Sequence, residues 1–264
     1  MEFQVDGQKV YAHTGGQPFD PARPVIMAIH GAAMSHLAWT LQARYLAHHG
    51  YSVLSLDLPG CGNSAGELPE SVPAAADWVV RALDVLQVPQ AALIGHSMGA
   101  LIALETAGRF PDRVSHLGLL GVAVPMSVND AFLDAARDNL PLAIGLMNDW
   151  AHARRSHLGG FSVPGLWMVG ADTRVVQQAA PGVLHHSLAI CNAYTGGEAA
   201  AANVTCPTAL ILGQQDNMTP VRAGLNLKGM IRGADATVIP DCGHMMMYEA
   251  PAAVLTALKG LLRR

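Results

Sequence analysis

Apolar positions along this chain switch between two periods. Phe3 and Val5 alternate with polar neighbours, Asp6-Gly7 supplies a turn and Val10-Tyr11-Ala12 returns, so residues 2–12 predict a β-hairpin. Residues 25–29 are a short continuous apolar run, the pattern of a strand buried on both faces. Leu37, Leu41 and Tyr45 follow at helical spacing, and Gly50 stops them. Residues 51–56 repeat the strand pattern, and 74–86 the helical one, with Trp78, Ala82 and Val85 on one side. A strand at 91–94, a helix over 100–109 and a strand at 114–122 come next. The alternation resumes late, with a strand at 208–212, a helix over 221–231 and a short strand at 236–239. Pro251 opens a last helix whose inward positions are Val254, Leu255, Leu258, Leu261 and Leu262. Strands alternating with helices predict the α/β class, with a mostly parallel sheet covered by helices on both faces.

Residues 126–200 break that rhythm. Leu133, Leu140, Leu142, Ile144, Leu146, Met147, Trp150, Leu184 and Leu188 keep helical spacing, and no buried-strand run intervenes. The pattern predicts a helical insertion into a core domain made of residues 1–125 and 201–264, lying over the sheet end where its loops emerge. A pair of ordinary crossover helices is the alternative reading.

Hydrophobic residues make up 51% of the 264 positions and charged ones 14%, enough apolar surface for a large core. The net charge of −4, with no basic block, argues against a nucleic-acid partner. Cys61, Cys191, Cys206 and Cys242 have no metal-type or CxxC spacing, so we expect isolated thiols in a reducing compartment. The first residues lack a basic segment followed by an apolar run, and the longest apolar stretches, near 24–34 and 117–126, are too short to span a bilayer. A cytoplasmic protein without stable membrane insertion is the expectation. Gly60, Gly62 and Gly66 resemble a dinucleotide loop only superficially, because their spacing is poor and Pro69 interrupts any helix there. No metal or organic cofactor is expected, and the sequence does not fix an oligomeric state.

The chemistry concentrates at Gly95-His96-Ser97-Met98-Gly99, between the apolar run at 91–94 and the small-residue helix after it. A serine at that junction sits on a tight strand-to-helix turn, exposed beside the positive end of the helix. Such a nucleophile needs a base, and the base needs an orienting acid. His96 adjoins Ser97 on the turn, so its ring should point elsewhere, and His30 reads as structural. His244, in Asp241-Cys242-Gly243-His244 directly after the last short strand, is the candidate base. Asp216 follows the strand at 208–212 and precedes Thr219-Pro220, a helix-start signal, and is the best-placed acid. Asp241 and Asp130 are the alternatives. The backbone N–H groups of Met98 and Ala32 are the candidate oxyanion donors.

These residues resemble the α/β-hydrolase superfamily over nearly the whole chain outside the insertion. The matching features are His30-Gly31 after one strand, Asp57-Leu58-Pro59-Gly60-Cys61-Gly62-Asn63-Ser64 after the next, Gly95-His96-Ser97-Met98-Gly99, Asp216 and His244. The order Ser, Asp, His is the one that family uses. Serine as nucleophile departs from the dehalogenases and epoxide hydrolases of the superfamily, and the His-Gly-Gly-Gly run of some esterase groups is absent.

The resemblance is weak on substrate, because this fold hosts many chemistries. Met34, Met98, Met245, Met246 and Met247 lie near the triad in sequence, and the insertion adds Trp150, Phe161, Trp167 and Met168. Met34, Trp150, Trp167 and Met245 are the candidate pocket residues. Methionine adapts to varied shapes, so the expectation is a serine esterase acting on small to medium apolar acyl esters. Arg154 and Arg155, beside His152 and His157, are expected to face water. A C–C bond hydrolase, a lactonase or a thioesterase on the same triad, and a hydrolase-fold ligand receptor, are the alternatives.

Overall fold

The computed structural model describes residues 1–159, 165 and 167–264. Its eight strands are β1 (Glu2–Val5), β2 (Gln8–His13), β3 (Val25–Ile29), β4 (Ser52–Leu56), β5 (Ala91–His96), β6 (Val114–Leu120), β7 (Thr208–Gly213) and β8 (Asp235–Ile239). They form one sheet in the order β1-β2-β4-β3-β5-β6-β7-β8. The hairpin β1–β2 joins β4 antiparallel, and every later pairing is parallel. All residues of β3, β4, β5 and β7 are buried, which explains why they read as unbroken apolar runs.

Successive side chains of these strands point to opposite faces and feed two cores. Met27, Ile29, Leu93, Leu117, Leu119, Leu210 and Leu212 pack beneath α2 (Val72–Val85), α3 (Met98–Arg109) and α10 (Val221–Met230). Ile26, Ala28, Ala92, Ile94, Leu120 and Ile211 pack beneath α1 (Thr40–Ala47) and α12 (Pro251–Leu261). Helix α1 departs from expectation in the face it buries. Leu37 and Leu41 are exposed, and Gln42, Ala43, Leu46 and Ala47 turn inward. The reason is local. Ser35 caps a 3-10 turn over His36–Trp39, so the α-helical register starts only at Thr40 and Trp39 takes the buried place.

Between β6 and β7 run α4 (Asp130–Asp138), α5 (Leu140–Ala151), α6 (Arg154–His157), α7 (Met168–Gln178), α8 (Val183–Ala193) and α9 (Gly197–Asn203), with no strand among the described residues. Asn129 and Asn139 start α4 and α5 by accepting from the backbone N–H of Phe132 and Leu142. Phe132, Ala143, Ile144, Val176, Leu184 and Leu188 make a third core, which also takes in Ala33 from the loop after β3. Helix α9 behaves differently. It lies on α3, so close that a Cβ at Gly108 would meet Ala200 O at 2.6 Å. Helix α11 (Met246–Glu249) is a single turn before α12.

Strand β3 sits between β4 and β5, so the chain leaves it first to one side and later to the other. The loops after β3 and β5 therefore diverge at the carboxyl end of the sheet and leave a crevice, where ligands bind in open α/β sheets.

Candidate active site

Ser97 follows the last residue of β5 and caps α3 with φ 54° and ψ −118°, a left-handed conformation that costs a serine about 1–3 kcal/mol. Two glycines make the turn possible. A Cβ at Gly95 would sit 2.1 Å from Gly99 O, and one at Gly99 would sit 2.3 Å from Ile29 O. The serine N–H donates to Leu120 O at 2.9 Å, and its carbonyl accepts from Ala100 and Leu101. The N–H groups of Met98 and Ala32 take no intramolecular acceptor among the described residues, which leaves both free for a ligand oxygen.

His244 comes in from the loop after β8. Its Nδ1 lies 2.7 Å from Asp216 Oδ2, with both side chains buried. Asp216 is held by its own loop. Its Oδ1 accepts from the N–H groups of Met218 and Thr219 at 2.8 Å, and its Oδ2 from the Thr219 hydroxyl at 2.7 Å. A carboxylate surrounded by donors only accepts, so the proton on this bond belongs to His244 Nδ1 and Nε2 is left as the basic nitrogen. No hydrogen bond joins Ser97 Oγ to the ring among the described residues. Such contacts commonly tighten only when substrate binds.

The other candidate acids lie elsewhere. Asp241 is exposed and accepts from Gln215, and Asp130 is exposed in the first turn of α4. His30 is structural: its Nδ1 lies 2.8 Å from Gly31 O, and its Nε2 accepts from Leu58 N–H at 3.1 Å. His96 corrects the expectation that its ring points away from the site. It packs 4.6 Å from the His244 ring and donates from Nε2 to His244 O at 3.0 Å. Burial, and then the neighbouring His244, hold the His96 ring well below the usual histidine range, so it stays neutral beside His244.

Ser97 opens into two small chambers that share Ala32, Leu188 and Met218. The inner one, about 40 Å³, is walled by Met34, His96, Met147, Ala151, Asp172, Val176, His244 and Met245. The outer one, about 170 Å³, reaches Met126, Phe132, Trp150, Cys191 and Asn217. A larger cleft of about 530 Å³ lies near Pro24, His49 and His116, at the amino end of the sheet and away from Ser97. Among the expected pocket residues, Met34, Trp150 and Met245 line the chambers. Trp167 does not: it is 69% exposed just before α7, with its ring against Gly170. Met98, Met246 and Met247 are buried in the sheet's two cores rather than in the pocket. Met168 is fully buried, and Phe161 lies outside the described residues. Arg154 and Arg155 are exposed, as expected.

Two carboxylates of the site carry no sequence motif. Asp172 on α7 lies 2.7 Å from His152 Nε2, and both side chains are almost fully buried. Burial raises the Asp172 carboxyl, while the carboxylate beside His152 raises that ring against the opposing effect of burial. Glu249 on α11 accepts from Ala153 N–H at 2.9 Å, from the Ser156 hydroxyl at 2.6 Å and from Gly243 N–H at 3.0 Å. It thereby ties α6 to the residue before His244.

Comparisons with known proteins agree with this architecture. A family model described as the alpha/beta hydrolase fold matches residues 24–251. The putative carbamate hydrolase RutD of Klebsiella pneumoniae is 28% identical over 235 residues, covering 85% of each chain. The pimeloyl-[acyl-carrier protein] methyl ester esterase of Nitrosospira multiformis is 27% identical over 241 residues, 86% of this chain and 90% of the relative. A thermophilic esterase from Thermogutta terrifontis superposes with a TM-score of 0.86 at 19% identity, over 100% of this chain and 98% of the other, a likeness of fold.

Proposed function

The chain belongs to the alpha/beta hydrolase fold family, and from that premise we propose that it is a serine hydrolase cleaving carboxylic esters through an acyl-enzyme. It is an ester-acting hydrolase, in keeping with relatives named as hydrolases and esterases. The observation that carries the mechanism is the buried Asp216–His244 hydrogen bond, made in a chamber that Ser97 also lines. Ser97 Oγ attacks the carbonyl carbon while His244 Nε2 takes its proton. Asp216 holds the ring and stabilises the imidazolium that forms. The oxyanion is received by the N–H groups of Met98 and Ala32, and His244 returns its proton to the departing alcohol. Water then repeats the sequence on the acyl-enzyme and frees the acid.

We take residues 126–200 as a helical cap on a core of residues 1–125 and 201–264. Its α4, α5, α7 and α8 supply pocket walls, whereas α9 at its end packs on α3. No lysine or arginine is among the described residues lining either chamber, and this favours neutral, small to medium acyl groups over anionic ones such as the products of ring cleavage. Four free cysteines suit a reducing compartment, and we place the protein in the cytoplasm. No described helix is long and apolar enough to cross a membrane. A panel of p-nitrophenyl esters from acetate to octanoate, run beside Ser97→Ala, tests the reading. It requires Ser97-dependent turnover of the short to medium chains.

A further inference from the structure

Resting on the ester-hydrolase reading, we propose that Asp172 Oδ1 sets acyl specificity by accepting a hydrogen bond from a hydroxyl or N–H on a short acyl group held in the inner chamber. Asp172 is 2% exposed and forms part of the chamber wall with Ser97 and His244. Its Oδ2 is committed to His152 Nε2 at 2.7 Å, and its Oδ1 is buried without a partner among the described residues. A buried carboxylate oxygen is normally satisfied. Glu249, nearby, receives three donors and Asp216 four. The open oxygen of Asp172 faces no such competition.

What it accepts follows from the proton count. His152 Nδ1 lies 3.1 Å from Asn148 O, which can only accept, so Nδ1 carries a hydrogen. The proton between Nε2 and Oδ2 then sits on the ring or on Oδ2. In the first case Oδ1 is a carboxylate oxygen; in the second it is the carbonyl oxygen of the acid. In both cases Oδ1 accepts, so the group it selects is a donor. Among the described residues lining the inner chamber the other side chains are apolar, apart from Ser97 and His244, which belong to the reaction, and His96, whose Nε2 donates to His244 O and whose Nδ1, also without a partner among the described residues, lies toward Gly31. Asp172 Oδ1 is thus the unpartnered carboxyl oxygen of the chamber, and the Asp172 variants separate its effect from that of His96 Nδ1.

Chamber size limits the acyl group. At roughly 10–15 Å³ for each water-sized occupant, the inner volume of about 40 Å³ takes about three to four heavy atoms. The acyl part stays on Ser97 through both steps while the alcohol must leave. The larger outer chamber therefore takes the alcohol. Short 2-hydroxyacyl or carbamoyl groups have the right size and carry the donor.

Two isosteric substrates test this, p-nitrophenyl glycolate and p-nitrophenyl propionate, which differ by a hydroxyl in place of a methyl. After correction for their rates of alkaline hydrolysis, kcat/KM should favour glycolate by about 10- to 100-fold. Asp172→Ala should bring the ratio close to one, and Asp172→Asn, which keeps an acceptor oxygen, should retain most of it. Because the ratio is taken within each variant, a general loss of activity cancels. A wild-type ratio near one, or a ratio that Asp172→Ala leaves intact, overturns the proposal. If Asp172→Ala does not fold, titration of Ser97→Ala with glycolamide and propionamide reads the same preference as a ratio of Kd, and equal binding overturns it. Turnover that survives Ser97→Ala would instead overturn the esterase mechanism, while the amide titration would still decide the role of Asp172.

Discussion

Replacing Glu249 by glutamine changes one atom and should reach both stability and catalysis. The carboxylate accepts from Ala153 N–H, the Ser156 hydroxyl and Gly243 N–H, and it is 2% exposed. Glutamine offers one acceptor oxygen and one NH₂. If the oxygen faces Ala153 and Ser156, the NH₂ confronts Gly243 N–H. If the oxygen faces Gly243, Ser156 can turn its hydroxyl to accept, but Ala153 N–H confronts the NH₂. Either way one buried backbone donor is unpaired, at about 1–3 kcal/mol. Relief of the buried charge offsets part of this, so a net loss of about 1 kcal/mol is expected. At about 2–4 °C per kcal/mol for a chain near this size, Tm should fall by roughly 2–4 °C. Gly243 directly precedes His244, so a loosened loop misplaces the base and kcat should fall by about 10- to 100-fold with little change in KM. Thermal melting by circular dichroism and initial rates on p-nitrophenyl acetate measure the two effects. An unchanged Tm together with an unchanged kcat would refute the reasoning, and a large rise in KM at constant kcat would place Glu249 in binding rather than in positioning.

Ser97→Ala and His244→Ala should each lower kcat by roughly four to six orders of magnitude and Asp216→Asn by less, with melting curves near wild type. A silent Asp216→Asn beside an inactive Asp241→Asn would move the acid. Trp150→Ala should alter relative rates across esters of different alcohols, since Trp150 lines the outer chamber, whereas exposed Trp167→Ala should leave them unchanged. Asp57 predicts an acid limb in stability. Burial alone would raise its carboxyl, but the His36 ring and the N–H groups of Asn63 and His36 outweigh burial and hold it below the usual range. The unfolded chain then binds the proton more readily, so this contribution is complete above the ordinary carboxylate pKa near 4 and is lost as pH falls through the depressed folded value. Urea melts from pH 7 down to pH 3 should show Asp57→Asn less stable at pH 7 and with a shallower acid slope. An equal slope in both proteins would remove Asp57 as its source.

The core was legible because parallel strands buried on both faces leave unbroken apolar runs, and because close backbone contact at Gly95 and Gly99 admits no side chain. Asp216 and His244 could be placed because each follows a strand at the same end of the sheet. What could not be read depends on distance in sequence. Asp172 and His152 are separated by 20 positions and meet only once α5 and α7 are packed, and neither belongs to a motif. Trp167 was misplaced because hydrophobicity alone does not say which way a ring at a helix start will turn. The buried face of α1 was misread because the 3-10 turn ahead of it shifts the register, and three- and four-residue steps are hard to distinguish over so short a segment.

The helices between β6 and β7 do more than wall the pocket, and this bears on how far substrate choice and chemistry can be separated. The carbonyl of Ala151, at the end of α5, accepts from the N–H of His244 at 2.6 Å, and that of Trp150 accepts from Asn217, next to Asp216, at 3.3 Å. The side chain of Trp150 lines the outer chamber. One turn of helix therefore touches the outer chamber with its side chain and both loops of the Asp216–His244 pair with its backbone. A substitution that shifts α5 to admit a larger ester would also shift the anchor of His244. Changes confined to α4 or α8, whose Phe132 and Leu188 line the chambers without holding either loop, can reshape the pocket and leave the acid–base geometry in place. Variation of acyl or alcohol preference at little cost in kcat is thus expected from Phe132 and Leu188, and loss of kcat together with altered preference from substitutions that displace the last turn of α5.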